Sequence, residues 1–314
     1  MWLDGLYMAF DYLIKVIPPV IVGTLAMGIL VEMGWIRRMA FLTAPLINHT
    51  HLREEIGISF LTSFGSSTAG NAMLAKLYDD RHMDRKETII ATMVNSFPSS
   101  IVLSRDLLPV VIILLGKTGL IYLGIVIFIG FVKTMLALIA ARILLRPGTP
   151  VKADAQIDID IKNVSFREAC KNALKKSRRS LIKIIVTMTI VSIIVFQLMG
   201  TGIFDRAAAI MQDSFIISYV PPEGLPIIAG WFAGNIAAYT IAGNLLETHM
   251  LSPKDIILAL LIGRVLASIT RIKTMLPYYV GIFNPNLGIR IMFVSLAMQN
   301  AIMIAIAGFM VLFL

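Results

Sequence analysis

The sequence predicts an all-α polytopic membrane protein made of two inverted-topology repeats with broken or re-entrant helices. Three observations predict it. The 314 residues are 57% hydrophobic and only 15% charged, and the mean hydropathy is +0.82; a soluble chain of this length does not hide so much apolar surface. Apolar stretches long enough to cross a bilayer recur along the chain, and some carry hydroxyl and amide groups on one face. The order of these stretches in the first 145 residues returns after residue 180. The net charge of +9 reads as an orientation signal, because basic residues accumulate in cytoplasmic loops.

Leu6–Val31 is the first expected span, with a kink at Pro18-Pro19 and Lys15 inside the apolar run. Asp4 and Asp11 stand where a signal peptide would need basic residues, so no cleavable leader is expected. Trp35–Ile47 is short and amphipathic, with Arg37 and Arg38 on one side, and reads as an interfacial helix. Ile58–Tyr78 is then read as a bilayer-length helix with no charge before Lys76. Ser59, Thr62 or Ser63, Ser66 and Gly70 share one face by helical spacing, and Phe60, Leu61, Phe64, Met73 and Leu74 form the other. Thr88–Leu103 is apolar but interrupted at Asn95–Ser100, where Pro98 removes a backbone donor. Leu107–Leu115 is too short for a comfortable span, and Gly119–Leu145 is a full one with Lys133 in its middle. That lysine is either a buried partner or a site residue.

Residues 146–180 form the expected linker between the membrane repeats 1–145 and 181–314. Arg146–Pro150 breaks the chain, and the stretch before Ser180 is a basic amphipathic helix with Arg167, Lys171, Lys175, Lys176, Arg178 and Arg179. Anionic lipid headgroups are its expected partner. Phe166 is its only aromatic residue, which argues against nucleic acid. Leu181–Gly200 is a span, Phe204–Ile217 is amphipathic, and Leu225–Leu246 is read as a span carrying Asn235, Tyr239, Thr240 and Asn244. Ile256–Ile269 contains Arg264, Leu276–Phe283 is short, and Leu287–Leu314 is the last span.

The two halves therefore share an element order. RHMDRKETII (Arg81–Ile90) resembles THMLSPKDII (Thr248–Ile257), and Leu107–Pro109 resembles Met275–Pro277, at a separation near 167 residues. Glu32–Glu55 carries Arg37, Arg38 and Arg53, whereas its counterpart Ile203–Gly224 carries Arg206 against three acids. The first loop is expected inside and the second outside, which makes the halves inverted. The N-terminus is then outside and the linker cytoplasmic. Five crossings or re-entrant passes per half fit this reading; four per half, giving parallel repeats, is the alternative.

No catalytic motif stands out, so an enzyme is not expected. The single cysteine, Cys170, excludes a disulfide framework, and His49 and His51 form a weak HxH pair read as loop histidines, so no metal or other cofactor is expected. The candidate solute-binding residues are Ser63, Ser66, Ser67, Thr68 and Asn71 in the first striped stretch. Asn95 and Ser99 in the interrupted segment join them, with Asn235, Tyr239 and Asn244 in the second stripe. Hydroxyls and amides suit a polar solute because they replace the water it sheds. Arg264, Arg271 and Lys273 have no matching intramembrane acid. A cation at membrane depth is costly unless a ligand or water meets it, so they are read as helping to bind an anionic or phosphorylated solute. The alternative, stronger for Arg271 and Lys273 than for Arg264, is snorkelling at helix ends, and Arg264 is the one added to the site. The expected function is secondary-active-type membrane transport of a small polar solute, anionic and nucleoside-like ones among the candidates, bound between the two inverted repeats. That solute is the expected partner, and a homo-oligomer is compatible with the sequence. The alternative is a non-transporting membrane scaffold whose stripes are packing surfaces.

SFGSSTAGNAMLAKL with its following broken helix, and FAGNIAAYTIAGNLLE, resemble the Gate or nucleoside-recognition domain. That domain occurs in concentrative nucleoside transporters, spore-maturation membrane proteins and the membrane part of ferrous-iron transporters. The resemblance covers about residues 15–145 and 180–312. It implies an inverted-repeat transporter in the cell membrane, with a site where the two polar stripes meet. Two departures qualify it. There is no soft pore ligand and no GTPase motif, which disfavours iron. There is no acid within Ser66–Asn71 or Asn235–Asn244 to read a ribose.

Overall fold

The computed structural model describes residues 52–145, 165–199 and 220–313, and a subset of positions between 6 and 29. Among these residues every regular element is helical. Positions 35–47, 204–217, Lys15, His49, His51, the 146–164 part of the linker and the Lys273 side chain lie outside the described residues.

The first striped stretch is not one helix. Glu54–Gly65 (α1) and Ser67–Asp79 (α2) are separated by Ser66, whose backbone is extended. The Ser66 hydroxyl accepts from Ala69 N, so it caps α2. The two helices fold back on one another. Ser59 Oγ donates to Gly70 O at 2.8 Å, although the two lie 11 positions apart; in one straight helix they would be separated by about 16 Å. A Cβ on Gly70 would collide with Ser63 Oγ and come within 2.7 Å of Ser59 O. The face of Ser59, Ser63 and Gly70 is therefore the inside of a helical hairpin. The expectation of a spanning helix over Ile58–Tyr78 is corrected accordingly.

Residues Arg85–Val94 (α3) and Ser96–Leu144 (α4) follow, with α4 turning sharply at Gly116, where φ is 52°. The limbs 96–115 and 117–144 run antiparallel, since Gly119 abuts Val111 and Gly130 abuts Ser100. The interruption predicted over Asn95–Ser100 falls at Asn95. Pro98 comes three residues later, in the first helical turn, where a missing N–H costs little. The segment 107–115 is not short: it belongs to the 96–115 limb, which continues through Pro109. Thr134 secures the break. Its hydroxyl donates to Val94 O at 2.8 Å and accepts from Phe97 N at 3.0 Å, bridging the interrupted ladder.

Phe166–Met199 (α5) is one helix that runs through position 180 without a break. It packs by a fourfold-spaced strip that includes Ala169, Ala173 and Leu181, while Ile182, Val186 and Ile190 face outward. A short 3-10 turn at Pro222–Gly224 leads into Leu225–Ala233 (α6) and Asn235–Glu247 (α7). These also form a hairpin rather than the predicted span over Leu225–Leu246. Its tip is Gly234, at φ 135°, a conformation that only glycine holds without strain. Gly230 then presses on Ala238 and Ile241. Pro253–Leu266 (α8) and Ser268–Ile282 (α9) meet at Ala267, and Pro285–Phe313 (α10) returns antiparallel to α9, with Gly288 against Tyr279.

The same backbone features recur at one spacing. Ser66 and Gly234 mark the hairpin tips, 168 positions apart. Arg81 and His249, the positive-φ residues that end α2 and α7, keep that offset of 168. So do Asp84 and Ser252, each capping the next helix by accepting from the amide three residues on, and Gly116 and Asn284 at the later turns, again 168 apart. The offset is thus one larger than the shared His-Met pair implied. Packing explains the slip: the buried anchors after the turns are Met83 (4% exposed) and Leu251 (6%), whereas Met250 is 50% exposed.

Two apolar cores hold the halves together, and they interlock. The α1–α2 hairpin packs with Phe283, Leu287 and Ile291 around the start of α10. The α6–α7 hairpin packs with Leu115 and Leu123, flanking the Gly116 turn of α4. Residues 85–144, a stretch interrupted at Asn95 and Gly116, and Pro285–Phe313 are long and apolar enough to cross a membrane. Their outward faces carry Leu120, Ile121, Phe128, Ile139, Phe293 and Phe309, an exterior suited to lipid and larger than soluble monomers usually expose.

Thr134→Val keeps the shape but leaves the Val94 carbonyl and Phe97 amide unanswered. It is expected to cost about 1–3 kcal/mol and to lower the thermal unfolding midpoint in detergent. Thr134→Ser, which restores the hydroxyl, should recover most of the loss.

Candidate functional site

The breaks in α1–α2 and α3–α4 bring polar side chains into one network. Asn95 Nδ2 donates to Ser59 Oγ at 3.0 Å and to Asn71 Oδ1 at 3.2 Å. Asn71 Nδ2 donates to Tyr278 Oη at 3.1 Å, joining the first half to α9. Asn95 is buried for a plain reason: it sits where the helix breaks, and its amide holds the α1–α2 hairpin against that break.

Beside this network lies a cavity of about 160 Å³. It is walled by Asn71, Thr92, Ser96, Ser99, Ser100 and Lys133 from the first half and by Arg264, Arg271, Tyr279, Ser295 and Gln299 from the second. Leu103, Val126, Ile129, Gly130 and Met275 complete it. Among the described residues no Asp or Glu lines the cavity, but Lys133, Arg264 and Arg271 do.

Each cation is held differently. Lys133 is 5% exposed, and its Nζ donates to Ser295 Oγ at 2.6 Å across the two halves. Arg264 is 4% exposed. One of its terminal nitrogens donates to Tyr122 Oη at 3.3 Å, its guanidinium carbon lies 5.7 Å from the centre of the Trp231 ring, and its Nε is buried with no hydrogen-bond partner. Arg271 is half-buried and lines the same space, not a snorkelling position at a helix end. Among the described residues, the ion pairs Arg53–Glu87 and Arg105–Asp106 involve neither Lys133 nor Arg264.

Of the predicted site residues, the structure brings Asn71, Ser99 and Arg264 to the cavity wall. Asn95 stands directly behind Asn71. Ser63 bonds to Ser59 O inside the hairpin, and Ser66, Ser67 and Thr68 lie at or beside its tip, with Ser66 and Thr68 exposed. The second stripe does not reach the cavity. Asn235 is exposed near the Gly234 tip. Tyr239 packs edge-on between Tyr122 and Trp231, with ring centres 5.8 and 5.6 Å away. Asn244 is buried, and neither of its amide atoms has a hydrogen-bond partner. The expectation of two stripes meeting in one chamber is corrected. At the 168 offset Asn71 corresponds to Tyr239, so the second hairpin presents an aromatic ring where the first presents an amide. Its remaining inner face is Ala237, Ala238, Ile241, Ala242 and Leu245, all buried.

What the sequence reading missed lies on the long helices. Ser295 and Gln299 fall four positions apart on α10, on one face of an apolar span. That spacing, with Lys133 unanswered in the middle of α4, was the available signal. Among the described residues no cluster of His, Cys, Asp or Glu could hold a metal ion.

Comparison with known proteins adds similarities. Residues 13–118 match the family model Gate, described as nucleoside recognition. Three curated relatives from Methanocaldococcus jannaschii are similar over nearly the whole chain. The uncharacterized protein MJ1556 is 29% identical over 293 residues, covering 93% of both chains. The uncharacterized protein MJ0880 is 29% identical, covering 87% of this chain and 89% of its own. The uncharacterized protein MJ0871 is 26% identical, covering 94% and 92%. No solved structure matches.

Asn95→Ala removes the donor that Ser59 and Asn71 share within a buried network, and is expected to cost about 1–3 kcal/mol. Tyr278→Phe frees an Asn71 amide beside the cavity, where water can take its place, and should cost less than about 1 kcal/mol. Unfolding midpoints of the two variants in one detergent check this ordering.

Proposed function

We propose that this chain is a multi-pass membrane transporter for a small solute carrying negative charge, bound in the cavity between its two halves. The observation that carries the reading is the lining: Lys133 and Arg264, with Arg271 on the same wall, around a polar space that no carboxylate lines among the described residues. Buried cations are expensive where lipid replaces water. A ligand of opposite charge gives them a reason to be there. The Gate match over residues 13–118, described as nucleoside recognition, supports solute handling. Ser295 and Gln299 lie near the middle of the 29-residue α10, which puts the cavity near the bilayer midplane if that helix spans.

Counting passes supports inversion. The α1–α2 and α6–α7 hairpins have arms of 9 to 13 residues, or about 13–20 Å at 1.5 Å per residue. That is short of a hydrocarbon core of about 30 Å, so each hairpin enters and leaves by one face. Each half then makes three full passes: in the first, the helical positions between 6 and 29, the α3 helix with the 96–115 limb, and the 117–144 limb. In the second they are α5, α8 with α9, and α10. An odd number inverts the second half relative to the first. The reciprocal packing of each hairpin on the other half's returning helix agrees with a two-fold relation. With the basic start of α5 on anionic headgroups, the linker is cytoplasmic and the N-terminus outside. No catalytic step is assigned.

The apolar packing of the α6–α7 hairpin favours a second reading, a non-transporting scaffold of the same architecture. Ligand-induced stabilisation and uptake separate the two. In the transporter reading, anionic solutes raise the unfolding midpoint and accumulate in proteoliposomes. Lys133→Gln is expected to weaken binding about 10- to 100-fold, the equivalent of one charge-assisted hydrogen bond of about 1.5–3 kcal/mol. No shift with any anion, and no uptake, would leave the scaffold.

Topology has its own test, using the only cysteine in the sequence, Cys170, which is partly exposed. A membrane-impermeant thiol reagent should label it in inside-out vesicles and not in sealed right-side-out ones. In a Cys170→Ser background, cysteines placed at Asp84 and Ser252 should label from opposite faces; labelling from one face would favour parallel halves.

A further inference from the structure

We infer that the solute is a multiply charged oxyanion of about phosphate size, an assignment that rests on the transport reading above and narrows it. Room is the first argument. The cavity has about 160 Å³, whereas pockets for drug-sized ligands run to about 300–1,000 Å³. That favours a solute smaller than a base joined to a ribose. A tetrahedral oxyanion, or one bearing a methyl group, fits the cavity.

Charge is the second argument. Lys133 and Arg264 are both nine-tenths or more buried, Arg271 lines the same wall, and among the described residues no acid does. A singly charged solute answers one cation and leaves the second buried cation uncompensated. A dianion answers both, and charge-assisted hydrogen bonds are the strong ones.

Geometry is the third. Tyr122 and the Trp231 ring fix the plane of the Arg264 guanidinium, while its buried Nε–H has no hydrogen-bond partner. A planar donor fork held by two neighbours is the group that matches two oxygens of an oxyanion. Lys133 contributes a point charge with donors left over after its bond to Ser295, and that bond ties the charge to the opposite half. The same chemistry could come from a free solute or from the phosphomonoester headgroup of a lipid. The enclosing residues come from both halves, so we assign the free solute.

The test is a ligand panel on the purified full-length chain in phosphate-free nonionic detergent, read by unfolding midpoint and equilibrium binding. Methyl phosphate, methylphosphonate and sulfate are expected to stabilise the protein, and uridine and acetate are not. Methyl phosphate should bind about tenfold more tightly at pH 7 than at pH 5, following the loss of its second proton near pH 6. Sulfate, doubly charged throughout, should not follow that curve. Arg264→Lys keeps the charge and loses the fork, and should weaken methyl phosphate binding at least tenfold; the panel on the unaltered chain decides the matter if that variant does not fold.

Uridine monophosphate binding where methyl phosphate does not would overturn the size assignment and leave an anion transporter standing. Acetate binding as tightly as methyl phosphate would overturn the charge assignment in the same way. Stabilisation by short-chain phosphatidic acid but not by methyl phosphate would move the site to a lipid headgroup. No response to any anion would overturn both this inference and the transport reading.

Discussion

The structure depends on how interrupted helices are closed in apolar surroundings. A backbone amide or carbonyl left bare there costs several kcal/mol, so each break needs a polar group at hand. At Asn95 the answer is Thr134, which bridges the Val94 carbonyl and the Phe97 amide from the opposite limb of α4. At Ser66 it is the residue's own hydroxyl, capping the helix it begins. Near Ala267, Asn300 reaches across from α10 to the Ser268 hydroxyl. These contacts decide where breaks are tolerated, and the breaks decide where polar side chains gather.

The cavity follows from that constraint. Because α3 stops at Asn95, the next helix starts with three serines, Ser96, Ser99 and Ser100, on the cavity wall. Because the 117–144 limb returns alongside, Lys133 comes level with them, with Gly130 giving the closeness by lacking a side chain. Because α8 and α9 meet at Ala267, Arg264 and Arg271 flank the bend and reach the same space. The halves repeat in backbone and differ in chemistry. One hairpin offers Asn71; the other turns Tyr239 and Trp231 into a stacked support for Arg264. One half brings an amide and hydroxyl floor, and the other most of the positive charge.

Much of the fold was legible from residues alone, and the reason is local. Asp84 before Glu87 and Ser252 before Asp255 are capping pairs that mark helix starts whatever surrounds them. Leu-Pro at 108–109 and 276–277 kept its register. The shared His-Met did not, because a turn is positioned by the side chain it buries, and that burial belongs to Met83 and Leu251. The hairpins were illegible for a different reason. A striped helix and two half-helices folded face to face present the same periodicity, and only the contact between Ser59 and Gly70 tells them apart.

By itself the sequence determined that the chain is helical and apolar, that its halves follow one order, that Asn71, Ser99 and Arg264 are polar groups at costly depths, and that no acid accompanies them in the stripes. These are properties of single residues and short periods. Tertiary structure alone decided that the serine face closes on Gly70 and that Asn235–Asn244 packs away from the cavity. It also decided that Lys133 and Ser295, separated by 162 positions, share a hydrogen bond. Such pairings turn on where helices break and fold back, and the energy of a break is set by a partner distant in sequence that happens to arrive beside it.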